Sequence, residues 1–329
     1  MSANYQQELA TALDAVRGAT LACRSVQAKI ASEKLDKKDK SPVTVADFSS
    51  QAIVCRVLSL AFSHDQIIAE EDAAELRQPA NAAFLDQVHR EVTAVAGTAT
   101  MEDVLGWIDR GKIRPASKRF WTLDPIDGTK GFLRKEQYAV SLALIVDGDI
   151  QVAVLGCPNL PNLPEVNDPS SIGGLFYAVR GEGAFSLGED ADTSTPIYVS
   201  RTAHGQHARM CESVESGHSD HSGASAIAEE LGIAQDSRRL DSQAKYAVVA
   251  RGEADMYLRL PTQADYVEKI WDHAGGVLIV EEAGGKVTDL AGKPLNFSLG
   301  HELKSNRGVI VTNNLLHEAV LTACRNVLG

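Results

Sequence analysis

The chain has 329 residues, of which 44 % are hydrophobic and 23 % charged, and its formal net charge at pH 7 is −12. These proportions are typical of a globular protein with a sizeable core, and the length suits two domains or one large layered unit. The acidic balance repels nucleic acid and acidic membranes, and no apolar run reaches the roughly 20 residues of a membrane span, so neither class of partner is expected.

The start of the chain gives an expectation about location. Residues 1–9 are polar and lack the basic and then apolar pattern of a secretory signal peptide. We therefore expect a soluble, cytoplasmic protein, and we expect a monomer. The five cysteines are an odd number without a Cys-x-x-Cys pair, so neither a disulfide framework nor a zinc ribbon is indicated, and we expect them to be buried.

The first half of the chain predicts helices packed on an antiparallel sheet. Apolar residues recur at helical spacing over residues 4–30, and a second helix is predicted over 44–62 after a charged linker at 33–40. Residues 73–117 have no clear pattern beyond helical stretches. Strands are predicted over 66–69, 120–123, 138–146, 150–155 and 174–180. The Asp-Gly-Asp between the third and fourth of these is typical of a β-hairpin, and residues 157–171 predict a loop or boundary.

The second half alternates between helices and strands. Helices are predicted over 223–231, 243–251, 269–283 and 315–327. Strands are predicted over 208–213, 255–260 and 308–312. This alternation favours an α/β unit.

Residues 124–129, with the sequence Asp-Pro-Ile-Asp-Gly-Thr, are the strongest local signal in the chain. They place two carboxylates three residues apart after a predicted strand, where Gly128 permits unusual torsion angles or close approach of a ligand. Hard cations such as Mg²⁺ bind carboxylates together with waters and substrate phosphate. Gly128 and Thr129 also begin a helical turn whose free N–H groups could face a phosphate. By spacing alone, an acidic surface turn explains the motif equally well.

Three further acidic positions are ambiguous when each is taken singly. Glu70 opens an acidic triplet after a predicted strand, which is most often a solvated loop. Asp272 lies near the start of an apolar helix, where its charge would interact favourably with the helix dipole. Asp47 follows Thr44 at the spacing of a capping box, so its simplest role is at a helix start.

Taken together and in order, these residues resemble the lithium-sensitive, magnesium-dependent phosphatases. That superfamily includes inositol monophosphatases, fructose-1,6-bisphosphatases and 3′(2′),5′-bisphosphate nucleotidases. The resemblance spans about residues 5–325. The residues that carry it are Asp47, Glu70, Asp124, Asp127, Gly128, Thr129, Trp271, Asp272 and His273.

Further segments are similar to the bisphosphate nucleotidase branch. These segments are residues 124–134, 217–221, 240–246, 257–259 and 268–273. Two positions depart from the usual pattern: Lys135 stands where relatives have glycine, and Gly275 stands where alanine is more usual. Neither departure removes a metal ligand or a base.

The resemblance implies a fold and a metal site. The fold is α/β (α+β), a layered αβαβα sandwich with the site between its two halves. The N-terminal domain, residues 1–156, would carry most metal ligands, and residues 157–329 would carry the nucleotide pocket and the last ligand. Two or three Mg²⁺ would be held by Glu70, Asp124, Asp127, Asp272 and the backbone carbonyl of Ile126.

The resemblance also implies a reaction. Asp47 and Thr129 would orient and deprotonate a water that attacks the 3′-phosphate of 3′-phosphoadenosine 5′-phosphate, giving AMP and phosphate. The sulfated form, 3′-phosphoadenosine 5′-phosphosulfate, is a further candidate substrate. The residues expected near the nucleotide are Gly128, Thr129, His221, Ser242, Lys245, Arg259 and Asp272.

Two other functions remain open from the sequence. One is an inositol phosphate phosphatase, acting on inositol polyphosphate or monophosphate. The other is a non-catalytic sensor of nucleotide or redox state, whose sequence would have lost one of the implied ligands. His218 and His221 are three residues apart, but no Cys or His pair accompanies them to complete a zinc site.

Overall fold

The computed structural model describes residues 4–30, 41–112, 117–161, 172–188, 191–215, 219–263 and 265–329. The predicted linker at 33–40 lies outside the described residues, as do residues 162–171 of the predicted loop. Within the described part, four helices form the first layer. They are α1 (Gln6–Lys29), α2 (Ser41–Ala61), α3 (Ala82–Ala96) and α4 (Met101–Asp109).

The first sheet has seven strands that follow one another in chain order. They are β1 (Gln66–Ala69), β2 (Arg119–Asp127), β3 (Ala139–Val146), β4 (Asp149–Pro161), β5 (Ile172–Val179), β6 (Gly183–Gly188) and β7 (Thr195–Pro196). β1 and β2 are parallel, and every later pair is antiparallel. Asp147 and Gly148, at φ of 51° and 89°, form the tight turn between β3 and β4, which confirms the predicted hairpin.

The second sheet has five strands in the order β11-β12-β10-β8-β9. These are β8 (Met210–Glu212), β9 (Arg238–Arg239), β10 (Met256–Arg259), β11 (Lys286–Thr288) and β12 (Val309–Thr312). The helices of this half are α6 (His221–Glu230), α7 (Ala244–Ala250), α8 (Ala274–Glu282) and α9 (His317–Leu328), whereas the short helix α5 (Thr129–Arg134) lies between β2 and β3 of the first sheet.

Contacts between these elements give five layers. α1 packs on β3 and β4 of the first sheet, and α8 packs on the same strands from the other face. α7 and α8 also contact the second sheet, and α9 packs on β12 from outside, beside α6. The order is therefore helix, sheet, helix, sheet, helix, and the predicted αβαβα sandwich is confirmed.

Three apolar cores lie between the layers. The first includes Val16 and Leu142, the second Tyr246 and Leu278, and the third Ile310 and Val320 (together with Leu258 of β10). β3 is buried along nearly its whole length, because helices cover both faces of the sheet. All five cysteines are buried, as predicted.

Several element boundaries differ from the prediction in ways that matter for the site. α2 begins at Ser41, so Asp47 lies inside the helix and the capping-box interpretation is wrong. β2 continues to Asp127, so both carboxylates of the motif lie on the strand rather than on a turn. α8 begins at Ala274, not at residue 269, because the segment before it pairs with another loop: Lys269 forms a β-bridge with Glu302.

The predicted division at residue 156 falls within β4, and the division into two domains stays a prediction. None of the helices in the described ranges is both long enough and apolar enough to span a membrane.

Candidate active site

The parallel pairing of β1 with β2 places two acidic positions side by side. Ala69 pairs with Leu123, so Glu70 and Asp124 follow at the same level on adjacent strands. Asp124 is 2 % exposed, whereas the side chain of Glu70 is open to solvent. The register therefore forms one edge of an acidic site that opens outward at Glu70.

The end of β2 is shaped to meet the turn before α7. The strand's register shifts between Asp124 and Asp127, and the Oδ2 of Asp127 accepts the backbone N–H of Gln243 at 2.6 Å. Gly128 has φ of 86°, and a Cβ there would lie 2.9 Å from the Cβ of Ser242. This position therefore requires glycine for its torsion angle and for space. Thr129 follows as the exposed first residue of α5.

Helix α2 fixes both acidic segments from one side. Asp47 is buried on it. The hydroxyl of Ser50 donates to the carbonyl of Pro125 at 2.8 Å. The amide of Gln51 donates to the carbonyl of Glu71 at 2.6 Å and accepts its N–H at 3.1 Å. Ser50 and Gln51 were not found from the sequence, although adjacent polar residues inside an apolar helix were a signal.

The carboxylates of this region repel one another. Burial, followed by the charges of Glu70, Asp127, Asp272 and Asp47, holds the pKa of Asp124 well above its usual value. Burial and the charges of Glu71 and Glu70 do the same for the pKa of Asp47. The structure thus brings together the five acidic residues that the sequence singled out.

The outer members of the cluster show the same repulsion. Although Glu70 keeps an exposed face, partial burial of its carboxyl, followed by the charges of Glu71 and Asp127, raises its pKa to about 7. Burial raises the pKa of Asp272 to about 7, although the nearby charges of Arg259 and His273 act in the opposite direction.

The donor set fits a hard divalent cation. The Oδ1 of Asp124 is buried and has no hydrogen-bond donor among the described residues. Such an atom is costly unless a cation or another group satisfies it. Carboxylate oxygens that repel one another around it are the ligands that Mg²⁺ prefers.

Asp272 lies beside a network of paired side chains. The guanidinium of Arg259 is 3.7 Å from Asp272 and 3.0 Å from Glu268. The Nε2 of His273 contacts Glu268 at 3.0 Å. The Nδ1 of His273 contacts the hydroxyl of Tyr246 at 2.7 Å.

This pairing decides whether Glu268, Asp272 and His273 together could hold a metal ion. Their possible ligand atoms lie within 4.8 Å of one another, as in a metal site. Although burial opposes it, His273 and then Arg259 lower the pKa of Glu268 to about 2. Because Glu268 and both ring nitrogens of His273 already have partners, the network positions Asp272 and Arg259 rather than holding an ion.

Lys245 and Ser242 belong to one turn. Ser242 has φ of 67°, a strained conformation for a residue with a side chain. Lys245 is 3 % exposed, and its ammonium donates to the carbonyls of Leu240 and Ser242 at 3.1 and 2.8 Å. Burial lowers the pKa of Lys245 to about 8. Lys245 therefore holds the turn that presses Ser242 against Gly128.

Gln243, within the segment 240–246, is a third residue whose role sequence reasoning missed. Its side-chain amide donates to the carbonyl of Trp271 at 2.9 Å, and its oxygen accepts the N–H of Gly276 at 3.1 Å. The hydroxyl of Ser141 is 3.2 Å from the same oxygen. This side chain thus ties the turn to β3 and to the segment that carries Asp272.

The segments that resemble the nucleotidase branch contact one another. Arg134 on α5 forms ion pairs with Asp241 and, at 2.7 Å, with Glu215. Lys130 reaches Glu215 at 2.8 Å. A Cβ on Gly131 would lie 2.9 Å from the Cβ of Asp241. Residues 129–134 and the turn at 240–245 therefore form one closely packed wall.

His221 lies apart from these contacts. It is the first residue of α6, whose N-terminus Asp220 caps by accepting the N–H groups of Ser222 and Gly223 at 3.0 and 3.1 Å. Among the described residues, no hydrogen bond or ion pair joins His221 to the carboxylates, and its Nε2 is buried without a hydrogen-bond partner. His218, the other half of the zinc alternative, lies outside the described residues.

Curated relatives match the chain over nearly its whole length. A 3′(2′),5′-bisphosphate nucleotidase of Emericella nidulans is 42 % identical, with 99 % of each chain covered. One of Schizosaccharomyces pombe is 43 % identical over 98 % of this chain and 96 % of its own. One of Oryza sativa is 41 % identical over 98 % and 95 %.

Solved structures agree in fold. An inositol monophosphatase of Thermotoga maritima has a TM-score of 0.66 at 20 % identity, covering 98 % of both chains. One of Anabaena (Nostoc) sp. PCC 7120 has a TM-score of 0.63 at 23 % identity, covering 99 % of this chain and 98 % of its own. The sequence profile of the inositol monophosphatase family matches residues 4–328. The chain belongs to the inositol monophosphatase family, as the resemblance of its motifs predicted.

Proposed function

We propose that the protein is a Mg²⁺-dependent 3′(2′),5′-bisphosphate nucleotidase that hydrolyses 3′-phosphoadenosine 5′-phosphate to AMP and phosphate. The observation that carries this proposal is the acidic cluster around the unpaired Oδ1 of Asp124, next to the wall formed by α5 and the Ser242 turn. The cluster suits phosphoryl transfer, and the names of the curated relatives support the nucleotide as substrate.

The metal ligands in this proposal are oxygen donors. Glu70, Asp124, Asp127 and Asp272 would hold two or three cations, together with the carbonyl of Ile126. When bound, the cations supply positive charge to the phosphoryl group and make an attacking water more acidic. The protein aligns these carboxylates through the β1–β2 register and the bond from Gln243 to Asp127.

Asp47 and Thr129 act on the water. The oxygen of the water forms a bond to phosphorus while the bond between phosphorus and the 3′-oxygen breaks. The electron pair of the broken bond leaves with the 3′-oxygen, which is then protonated from solvent. Asp47 accepts the proton of the attacking water, and the Thr129 hydroxyl orients it. Asp47 acts in its ionised form, which neighbouring cations would favour against the burial and the charges of Glu71 and Glu70 that raise its pKa. No side chain forms a covalent intermediate, because alignment and charge neutralisation suffice.

The nucleotide would lie against the wall beside the cluster. Gly128 allows close approach, and Ser242 can donate its hydroxyl, since this oxygen already accepts the N–H of Ala244 at 3.1 Å. Arg259 and Lys245 supply positive charge to the 5′-phosphate, Arg259 from beside Asp272 and Lys245 from within the turn. In the proposal His221 approaches the adenosine.

A second candidate is an inositol phosphate phosphatase, which the family membership favours. A non-catalytic sensor agrees less well with the structure, since all five acidic residues are present and converge.

A substrate panel tests the proposal. Phosphate release is measured with Mg²⁺ and 3′-phosphoadenosine 5′-phosphate, its 5′-phosphosulfate form, inositol 1,4-bisphosphate or inositol 1-phosphate. We expect the highest kcat/KM for 3′-phosphoadenosine 5′-phosphate, with its phosphosulfate form also hydrolysed. A higher value for an inositol phosphate would favour the second candidate, and no release from any of them would favour the sensor.

A further inference from the structure

A cavity lies on the outer side of the second sheet, apart from the acidic cluster. Its volume is about 550 Å³. It is bounded by the end of β10, the loop between β11 and β12, the residue that caps α6 and the last turns of α9. None of the residues proposed for the active site lines it, so it is a separate feature of the molecule.

The lining of this cavity is basic. Lys293, Lys304, Arg307 and Arg325 all contribute to it. Lys304 is 3.5 Å from Glu302, and the other three form no ion pair with any residue that the structure describes. The chain has 44 acidic and 32 basic residues, so partners for these cations are abundant elsewhere. Three cations that have no ion-pair partner among the described residues, all lining one cavity, indicate an anionic ligand.

The two acidic side chains in the lining, Asp220 and Asp289, already accept hydrogen bonds within the protein. Asp289 accepts the N–H groups of Ala291 and Lys293 at 2.9 and 2.8 Å, and the amide of Asn306 at 3.0 Å. Asp220 caps α6. These carboxylates maintain the shape of the walls, and four cations outnumber them.

The rest of the lining is largely aliphatic. Leu260, Pro261, Leu290 and Leu328 contribute to the same cavity. Cavities of about 300–1,000 Å³ that combine apolar walls with a few charged groups are the usual sites of small ligands. The lining therefore suits a phosphate group attached to a compact apolar body.

We propose that this basic cavity is a second ligand site, which binds a phosphate ester of nucleotide size. The site lies directly behind the proposed nucleotide pocket. β10 ends at Arg259, whose guanidinium lies near Asp272, and Leu260, the next residue, lines the cavity. The N–H of Asp220 donates to the carbonyl of Leu260 at 3.3 Å, and Asp220 precedes His221.

AMP binding to the full-length chain tests the second site. The number of bound equivalents is measured by calorimetry for wild type and for the double variant Lys293→Glu/Arg307→Glu. The matched control is Lys118→Glu/Arg201→Glu, which makes the same charge change at exposed residues outside the cavity. Circular dichroism checks the fold of each variant.

We expect the cavity variant to lose one equivalent of AMP that wild type and the control retain, with at least tenfold weaker binding. Adenosine, which lacks the phosphate, should bind this site at least tenfold more weakly than AMP, and inorganic phosphate should also bind more weakly. Equal stoichiometry and affinity in the cavity variant and the control would overturn the proposal. The comparison is independent of the proposed function: if AMP does not bind the active site, the cavity variant loses the single remaining equivalent.

Discussion

Asp47 does not cap a helix, and its surroundings do not solvate its charge. It is 5 % exposed inside α2, and Glu70 and Glu71 add negative charge nearby. A buried acid among other acids costs stability, and groups of this kind are concentrated at functional sites. Its position beside the cluster therefore favours the role of base.

Replacing Asp47 with Asn tests this role. We expect kcat to fall by about 10²–10⁴, the usual contribution of a general base. The free energy of unfolding should not fall, because Asn has the same shape and removes a buried charge. Steady-state kinetics and urea unfolding measure the two effects, with Asp72→Asn, at an exposed neighbour, as the control. Full activity of Asp47→Asn would remove the residue from the mechanism.

The backbone conformation at Lys135 favours glycine. Lys135 ends α5 at φ of 60°, where its N–H donates to the carbonyls of Gly131 and Phe132. The left-handed conformation costs a residue with a Cβ about 1–2 kcal/mol.

Lys135→Gly should therefore stabilise the protein. We expect the free energy of unfolding to rise by about 0.5–1 kcal/mol, since the gain is partly offset by the greater entropy of glycine in the unfolded chain. The control is Lys118→Gly, at an exposed residue outside the left-handed region, which should destabilise. Urea unfolding decides, and a loss of stability in Lys135→Gly would show that the side chain makes a compensating contact.

At the scale of elements, long periodic segments were predictable, whereas some of the shortest strands were not. α1 and β3 carry apolar patterns over 24 and 8 residues. β7 and β9 have two residues each and β11 has three, too few for a period to show. The start of α8 was misplaced because Ile270 and Trp271 are apolar at helical spacing, yet their segment bonds to the loop at His301.

The contact of α9 with the second sheet depends on a neutral histidine. His317 is fully buried between Thr288 on β11 and Thr312 on β12, with both hydroxyls 2.9 Å from its ring nitrogens. Thr288 donates to the carbonyl of Asp289, so it accepts from His317, and Thr312 accepts the N–H of Asn314, so it donates. Burial, followed by the charge of Lys286, lowers the pKa of His317 to about 4, against the weaker opposing charge of Glu318.

This arrangement predicts a loss of stability in acid. The pKa is about 6.5 in the unfolded chain and about 4 in the folded one, so the contribution is complete above pH 6.5 and lost as the pH falls to 4. It amounts to about 3 kcal/mol. His317→Gln should be less stable at pH 7, and the difference from wild type should shrink between pH 6.5 and 4. A constant difference across this range, measured by urea unfolding, would contradict the assignment.

At the scale of the molecule, the site is assembled from segments far apart in the chain. The acidic residues were identifiable because they belong to motifs. The role of Gln243 was not identifiable, although the residue lies in the segment 240–246, since its partners at Asp127 and Trp271 are 116 and 28 residues away. These partners come close to Gln243 only when the helices of the second half pack onto the first sheet.

The five layers place acidic side chains from α2, β1, β2 and the segment before α8 in one cluster. This concentration of like charge in a chain of net charge −12 is the reason to expect a cation there. The proposed function requires that these carboxylates form a divalent-cation site for phosphate hydrolysis.

Phosphate release from 3′-phosphoadenosine 5′-phosphate, followed while Mg²⁺ is titrated into chelator-treated protein, tests this claim most directly. We predict no turnover in EDTA, recovery with added Mg²⁺, and little or no recovery in Asp124→Asn, whose free energy of unfolding without metal should be no lower than that of wild type. Full activity of the wild-type protein in EDTA, or normal Mg²⁺-dependent turnover of Asp124→Asn, would contradict it.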